Sequence, residues 1–373
     1  MKSETLRLEK AIQFTRRSVY LAYSWPPPPN STKWQNKKFN ILWAMSFISS
    51  LALLAPLLAS IYVFQGDTLI VTKSTIFVFA VSNFAIKMIV CRVHRKKIQV
   101  LISEMMDFVN LASPKERAIL ECYMDKCSGF HATITIMYYM TAACIICGPL
   151  ILPQPFPTNA IYPFPVSSPL VKFAIYIHQG FVGFQCSTGL TLDFQSAVLL
   201  WYSGARLELL AKEAQMIENK REFRTFIKKH QHLLWYAGEV RTVIRYVSLT
   251  TAAMTGIATA FGLLQLISNQ PLLVKLQFAT VVISSGINLY TCAWPADNLT
   301  SVCRLVGAGI YSSPWFRMPA KLLKDYNFVL HMSQKPVVIS IGGFIPVLSL
   351  QYYGSERNER VGRKPATETI TGR

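Results

Sequence analysis

Residues 40–64 read NILWAMSFISSLALLAPLLASIYVF, and this stretch decides how the rest of the chain is interpreted. It is longer than the roughly 20 apolar residues that a helix needs to cross the hydrocarbon core of a bilayer. A long charged segment precedes it, whereas the apolar core of a cleaved signal peptide is shorter and lies near the N-terminus. We therefore expect residues 40–64 to form a membrane-spanning helix that stays in the protein.

Six further apolar stretches follow, and the sequence predicts an all-α membrane protein with seven transmembrane helices. The predicted spans are Asn40–Phe64, Ser74–Cys91, Ser128–Pro153, Phe173–Tyr202, Tyr246–Ser268, Leu276–Trp294 and Pro336–Tyr353. Across the chain 51% of residues are hydrophobic and 15% are charged, whereas about 25% of the residues in a soluble domain carry charge. Apolar sequence in separate blocks favours membrane spans over one large soluble core.

The basic residues indicate the orientation of these spans. Eight Lys or Arg residues precede the first span, seven follow the second, nine follow the fourth and five follow the sixth, but each of the three intervening loops has only one. Basic loops stay on the cytoplasmic side of a membrane, so we predict an inverted topology with a cytoplasmic N-terminus. A receptor that couples to G proteins has the opposite orientation. The same distribution accounts for the net charge of +19 without a nucleic acid partner.

The predicted spans divide the chain into segments. The expected organisation is a cytoplasmic N-terminal segment at 1–39, transmembrane helices 1–4 at 40–202 with a proline-rich outer loop at 153–170, a cytoplasmic helical loop at 203–245, transmembrane helices 5–6 at 246–294, a cytoplasmic anchor helix region at 295–335, transmembrane helix 7 at 336–355 and a polar tail at 356–373. Because proline fixes the backbone, the outer loop is expected to form a stiff cap over the outer ends of the helices.

Three cytoplasmic segments carry apolar residues at helical spacing, within Glu222–Arg245, Ile98–Val109 and Leu322–Leu330. Such stripes on water-exposed helices need a partner, so we expect them to pack on one another in a helical bundle below the membrane. Lys87 lies near the inner end of the second span, and its ammonium group is expected to reach the interface on its aliphatic stem. Asp193 is expected to be an ordinary interfacial carboxylate of the fourth span.

The sequence contains none of the common hydrolase, metalloprotease or phosphate-loop motifs, so we predict neither an enzyme nor a cofactor or metal site. The middle of the spans is aromatic instead, and as a set these rings suit a pocket that holds a small lipophilic molecule by shape. The candidate pocket residues are Phe77, Phe84, Tyr138, Tyr139, Tyr176, Phe181, Phe184 and Tyr290. Phe79 and Phe261 belong to the same set of rings. Each ring taken alone is more often found facing lipid or packed in a core.

Several motifs resemble those of insect odorant receptors. The segment Tyr290–Trp315 resembles the exit of the sixth span in that family, and Met332–Pro336 with Phe344–Leu350 resembles its S-Q-K-P and F-x-x-L-S-L motifs. Tyr176–Gln179 and His230–Leu234 match as well. The loop between the fourth and fifth spans is short, which is typical of a ligand-tuning subunit and not of the co-receptor. A gustatory receptor is a less favoured alternative, because its T-Y-x5-Q-F motif is missing from the last span.

The resemblance implies an odorant receptor subunit that binds small volatile hydrophobic molecules and gates a non-selective cation channel. Its implied partners are a shared co-receptor in a heterotetramer, the volatile ligand and membrane lipid. The implied location is the plasma membrane of olfactory sensory neurons, in the dendrite. The seventh helix would line the pore, with Ser340, Phe344, Leu348 and Gln351 on it.

One segment departs from the family pattern. The last helix of a family member continues for about another twenty apolar residues, as the resemblance implies, but here polar sequence follows from Glu356 and places five basic residues on the predicted outside. This tail is more typical of a translated intron or a frame change than of a receptor terminus. The alternative function is therefore a truncated receptor that does not conduct.

Overall fold

The computed structural model describes residues 2–151, 154–269, 271–317, 319–334 and 338–339. The regular structure of these residues is helical, which confirms the all-α class. The α-helices are α1 (Lys2–Ser18), α2 (Lys33–Val63), α3 (Thr68–Val93), α4 (Arg95–Leu111), α5 (Pro114–Ile146), α6 (Pro169–Gln215), α7 (Lys220–Ile267), α8 (Leu272–Tyr311) and α9 (Ala320–Ser333). By length and composition, α2, α3, α5, α7 and α8 are long and apolar enough to cross a membrane.

The long helices continue well beyond the predicted spans. α7 has 48 residues, which is about 70 Å at 1.5 Å per residue and more than twice the hydrocarbon thickness of a bilayer. The sequence boundaries expected at 245/246 and 294/295 are therefore not breaks in the structure, and Pro295 lies inside α8. The predicted seventh span falls outside the described residues except for positions 338 and 339.

Side-chain caps fix where several helices begin. The side chain of Ser113 accepts a hydrogen bond from the backbone of Glu116, and the Glu116 carboxylate accepts one from the Ser113 backbone, so a capping box starts α5. Thr32 and Gln35 form the same arrangement at the start of α2. These reciprocal bonds satisfy amide groups that have no partner within the helix.

The three apolar stripes predicted from the sequence are buried and pack together, as expected. We call this region the distal bundle: α1, α4, α9 and the neighbouring parts of α5 to α8. The rings of Phe223 on α7 and Tyr326 on α9 stack with centroids 4.0 Å apart. The hydroxyl of Tyr236 donates to the carbonyl oxygen of Leu101 on α4 at 3.0 Å. Packing between stripes removes their apolar surface from water, which is the main favourable term in such a bundle.

α6 is the central helix of the fold. Every residue from Thr191 to Ala205 is buried, so α6 has neighbours on all its faces through this stretch. Its buried residues include Gln185, Asp193 and Gln195, whose polar groups need partners from the surrounding helices.

A buried ion pair joins α6 to α3 and α7. The Nζ of Lys87 lies 2.8 Å from Oδ2 of Asp193, and both side chains are completely buried. Lys87 also donates to the carbonyl oxygen of Gly189 at 3.0 Å, and Thr251 donates to Oδ1 of Asp193 at 2.9 Å. The expectations that Lys87 reaches the interface and that Asp193 is an interfacial carboxylate are therefore wrong, because each charge finds its partner inside the bundle.

Gly309 lets α8 approach α6 closely in the distal bundle. A Cβ atom on Gly309 would overlap the carbonyl oxygen of Ala211, whereas a Cβ on Gly286 of the same helix would meet nothing. We expect Gly309→Ala to lower the apparent melting temperature of the detergent-solubilised protein, since the α8 backbone has to move. The matched change Gly286→Ala should leave it unchanged or raise it, because alanine favours helix by about 1 kcal/mol over glycine. Equal melting temperatures for the two variants would contradict this packing.

The ion pair makes a second prediction. Lys87→Met or Asp193→Leu alone leaves a buried charge without its partner, which typically costs about 3–5 kcal/mol, and should sharply reduce the monodisperse, folded fraction on size exclusion. The double variant buries no charge and should recover much of that fraction. A double variant that is no better folded than either single variant would refute the pairing.

Candidate ligand-binding site

A cavity of about 150 Å³ lies inside the helical bundle. Its walls come from α2, α3, α5, α6, α7 and α8, and representative wall residues are Leu57, Phe77, Phe79, Tyr138, Ile145, Val182, Met254, Ala258 and Val281. On α5 these residues lie near its C-terminal end, and on α6 and α8 they lie near the N-terminal end. The cavity is therefore at the end of the bundle opposite the distal bundle.

The proline-rich loop, residues 154–168, covers part of this end of the cavity. Pro157 and Thr158 of the loop line it. The N–H of Thr158 donates to Oε1 of Gln179 at 3.1 Å, and Nε2 of Gln179 donates to the hydroxyl of Tyr162 at 3.2 Å. The N–H of Ile161 donates to the carbonyl oxygen of Pro56 at 3.0 Å. These hydrogen bonds fix the loop to α6 and α2, and we call the loop the roof of the cavity.

Most polar groups in the walls are already satisfied. The hydroxyls of Thr141, Ser187, Thr255, Ser284 and Ser285 each donate to a backbone carbonyl oxygen. A hydroxyl that donates in this way has no proton left for a ligand, although its oxygen can still accept. Most of the remaining wall residues are apolar, which favours a ligand held by dispersion and shape.

The buried ion pair lies directly beyond the floor of the cavity. Asn83, Leu190 and Thr255 line the cavity. Within one further helical turn of these positions, on α3, α6 and α7, are Lys87, Asp193 and Thr251. A shift of any wall helix at the floor would therefore also disturb the ion-pair network.

Two of the eight candidate pocket residues, Phe77 and Tyr138, line the cavity, and so does Phe79. Tyr176 holds the end of α5 at the rim, where its hydroxyl donates to the carbonyl oxygen of Ile146 at 2.6 Å. Phe181 and Phe184 are 40% and 37% exposed on the outside of the bundle.

The other three candidates lie in packing contacts. Phe84 is buried against Gly189 of α6. The Tyr139 hydroxyl donates to the carbonyl oxygen of Ser18 at 3.0 Å, which joins α5 to the end of α1. Tyr290 stacks on Trp294, with ring centroids 5.7 Å apart.

An aromatic column leads from the cavity toward the distal bundle. Successive rings, with centroids 4.5–6.2 Å apart, are those of Tyr138, Phe194, His131, Phe130, Trp294, Trp201 and Tyr123. Tyr290 lies beside this column, 5.8 Å from Phe130. Rings at such distances are in direct contact, so the column joins the cavity wall to the distal bundle by continuous packing.

Sequence reasoning missed Asn83, Thr158 and Gln179 in the lining. The signal for Asn83 was an amide inside an otherwise apolar span, where a polar group is costly and often functional. The candidate pore residues Ser340, Phe344, Leu348 and Gln351 lie outside the described residues. Within the part of the chain that the structure describes, no three His, Cys, Asp or Glu side chains come together as a metal site.

The fold matches that of solved odorant receptors. The structure of the insect olfactory receptor OR5 from Machilis hrabei in complex with eugenol superposes with a TM-score of 0.81 at 11% sequence identity, over 95% of this chain and 97% of that chain. A second structure of the insect olfactory receptor OR5 from Machilis hrabei gives a TM-score of 0.82 at 11% identity, over 96% of this chain and 97% of that chain. At this identity the likeness shows the fold alone.

Sequence comparison identifies the family. No curated protein matches this sequence, but the family model described as "7tm Odorant receptor" matches residues 70–355. The match covers most of the chain. It includes all the cavity-lining residues of α3, α5, α6, α7 and α8. The chain is therefore an odorant receptor, a member of the seven-transmembrane odorant receptor family.

Proposed function

We propose that this chain is the ligand-tuning subunit of an odorant-gated, non-selective cation channel that it forms with a shared co-receptor. The observation that carries the proposal is the apolar cavity, roofed by the proline-rich loop, in a chain of the odorant receptor family. A solved receptor of the same fold has been obtained in complex with eugenol, a small aromatic molecule.

The size of the cavity limits the ligand. An engineered protein cavity of about 150 Å³ holds one benzene molecule, and the cavity here has the same volume. The proposed ligand is therefore a volatile molecule with a single ring or a short chain.

Ligand binding opens the channel only if the open arrangement binds the ligand more tightly than the closed one. Three of the helices that form the walls of the cavity, α6, α7 and α8, continue into the distal bundle without a break. A change in the spacing of the walls is thus carried by stiff elements over the whole length of the subunit. The proposed pore helix, 336–355, follows α9 in the sequence and would respond to that change.

The proposed location is the plasma membrane of olfactory sensory neurons, with the basic segments 1–39, 203–245 and 295–335 in the cytoplasm. In this orientation the cavity and its roof face the outside, where odorants arrive. The apolar outer surfaces of the helices would contact lipid.

Orientation is tested with two epitope tags, one at the N-terminus and one in the proline-rich loop after Phe164. In intact cells antibody should bind only the loop tag, and after permeabilisation it should bind both, because basic segments stay inside. Staining of the N-terminal tag on intact cells would reverse the proposed topology.

The cavity is tested by filling it. Ala258 lines the cavity, whereas Ala260, two residues along α7, is exposed. A phenylalanine ring is the size of the ligand that such a cavity holds, so Ala258→Phe should raise the half-maximal odorant concentration at least about tenfold in cells that also express the co-receptor. Ala260→Phe should leave it unchanged at equal surface expression.

The panel for this test is benzyl alcohol, anisole, 1-hexanol and dipropyl ether. Equal responses from Ala258→Phe and the unmodified chain would show that the cavity is not the ligand site. A normal response from the co-receptor with Ala260→Phe excludes a general effect of an added ring on α7.

A further inference from the structure

Asn83 is the unusual polar residue of the cavity. It lies on α3 at the floor of the cavity, is 4% exposed and is one of the residues that line the cavity. Its Oδ1 is buried, and none of the described residues donates a hydrogen bond to it. A buried acceptor without a partner is unfavourable, so such a group is expected to meet a donor when the site is occupied.

The wall hydroxyls do not supply that donor, because those of Thr141, Ser187 and Thr255 are committed to backbone carbonyl oxygens. The other lining atom in a similar state is Oγ1 of Thr158 in the roof. Thr158 is partly exposed at the loop, whereas Asn83 is enclosed by helices. A molecule inside the cavity can supply a donor to Asn83 when rotation of the carboxamide turns Oδ1 toward it.

We propose that the cavity selects a compact alcohol or phenol, whose hydroxyl donates to Oδ1 of Asn83 while its hydrocarbon part fills the apolar space. A hydroxyl can donate to Oδ1, and the preference for alcohols follows from this bond because Nδ2 can donate to either kind of oxygen. An ether oxygen only accepts and leaves Oδ1 without a partner. This inference rests on the proposed function, since it names the ligand class of the same site.

The test compares isomers that differ in the hydroxyl and hardly in volume. Benzyl alcohol and anisole are one pair, and 1-hexanol and dipropyl ether are the other. Apparent dissociation constants are measured for the purified complex with the co-receptor, from the rise in melting temperature as each probe is titrated. The same titrations on the co-receptor alone give the background.

The unmodified complex should bind each alcohol about tenfold more tightly than its ether isomer, the typical difference when one neutral hydrogen bond is made and a buried acceptor is otherwise left unpaired. In Asn83→Leu, which has a similar shape and no acceptor, the ratio should fall to about one because only the alcohol loses affinity. A folding defect would weaken both isomers equally, so the ratio remains informative.

Thr141→Val is the matched control. It removes a lining hydroxyl whose proton is already donated to a backbone carbonyl oxygen, and it should keep the preference for alcohols.

Several results would overturn the inference. They are equal binding of alcohol and ether, as when a water molecule occupies Asn83; a preference that survives in Asn83→Leu; or a preference that is lost in Thr158→Val instead. In those cases binding of both isomers still supports the proposed function. If neither isomer of either pair binds, the proposed function fails together with the inference.

Discussion

An ammonium group and a carboxylate that are both buried in an apolar bundle have to satisfy each other, and this constraint fixes how α3, α6 and α7 meet. Lys87 and Asp193 achieve it at 2.8 Å, with Thr251 as a further donor. Because a buried charge is costly without its partner, the pair holds the three helices in one register. The position of the cavity follows, since its floor lies one turn away on the same three helices.

The cavity is thus bounded by two different kinds of structure. An ionic network lies one helical turn beyond its floor, while its roof is a loop held by a few neutral hydrogen bonds through Gln179. Neutral bonds of this kind contribute about 1 kcal/mol each, so the roof opens at much lower cost than the floor. In the proposed function the ligand enters through the roof, and the helical walls and the aromatic column that starts at Tyr138 carry the effect of occupancy toward the distal bundle.

The sequence was sufficient for features that depend on local pattern. The stripe with Phe223 and Val240 identified a buried helical face because its spacing contrasts with polar neighbours. The prediction for Lys87 failed because it treated α3 as a single helix in lipid, with the ammonium group reaching the membrane interface. The carboxylate that pairs with Lys87 is 106 residues away in the sequence. Phe181 faces outward, whereas Phe77 lines the cavity. No sequence pattern distinguishes the two, because a span that is apolar on all sides has no hydrophobic periodicity to identify its inner face. Those assignments required the neighbouring helices.

The central claim is that the ligand lies in the cavity between its floor, next to the buried ion pair, and the proline-rich roof. The most direct measurement is a cryo-electron microscopy map of the complex with the co-receptor, recorded with and without a saturating concentration of the tightest-binding probe. We predict added density bounded by Phe77, Tyr138 and Val281, with its polar end at Asn83. Added density elsewhere in the subunit, with this cavity unchanged between the two maps, would contradict the account.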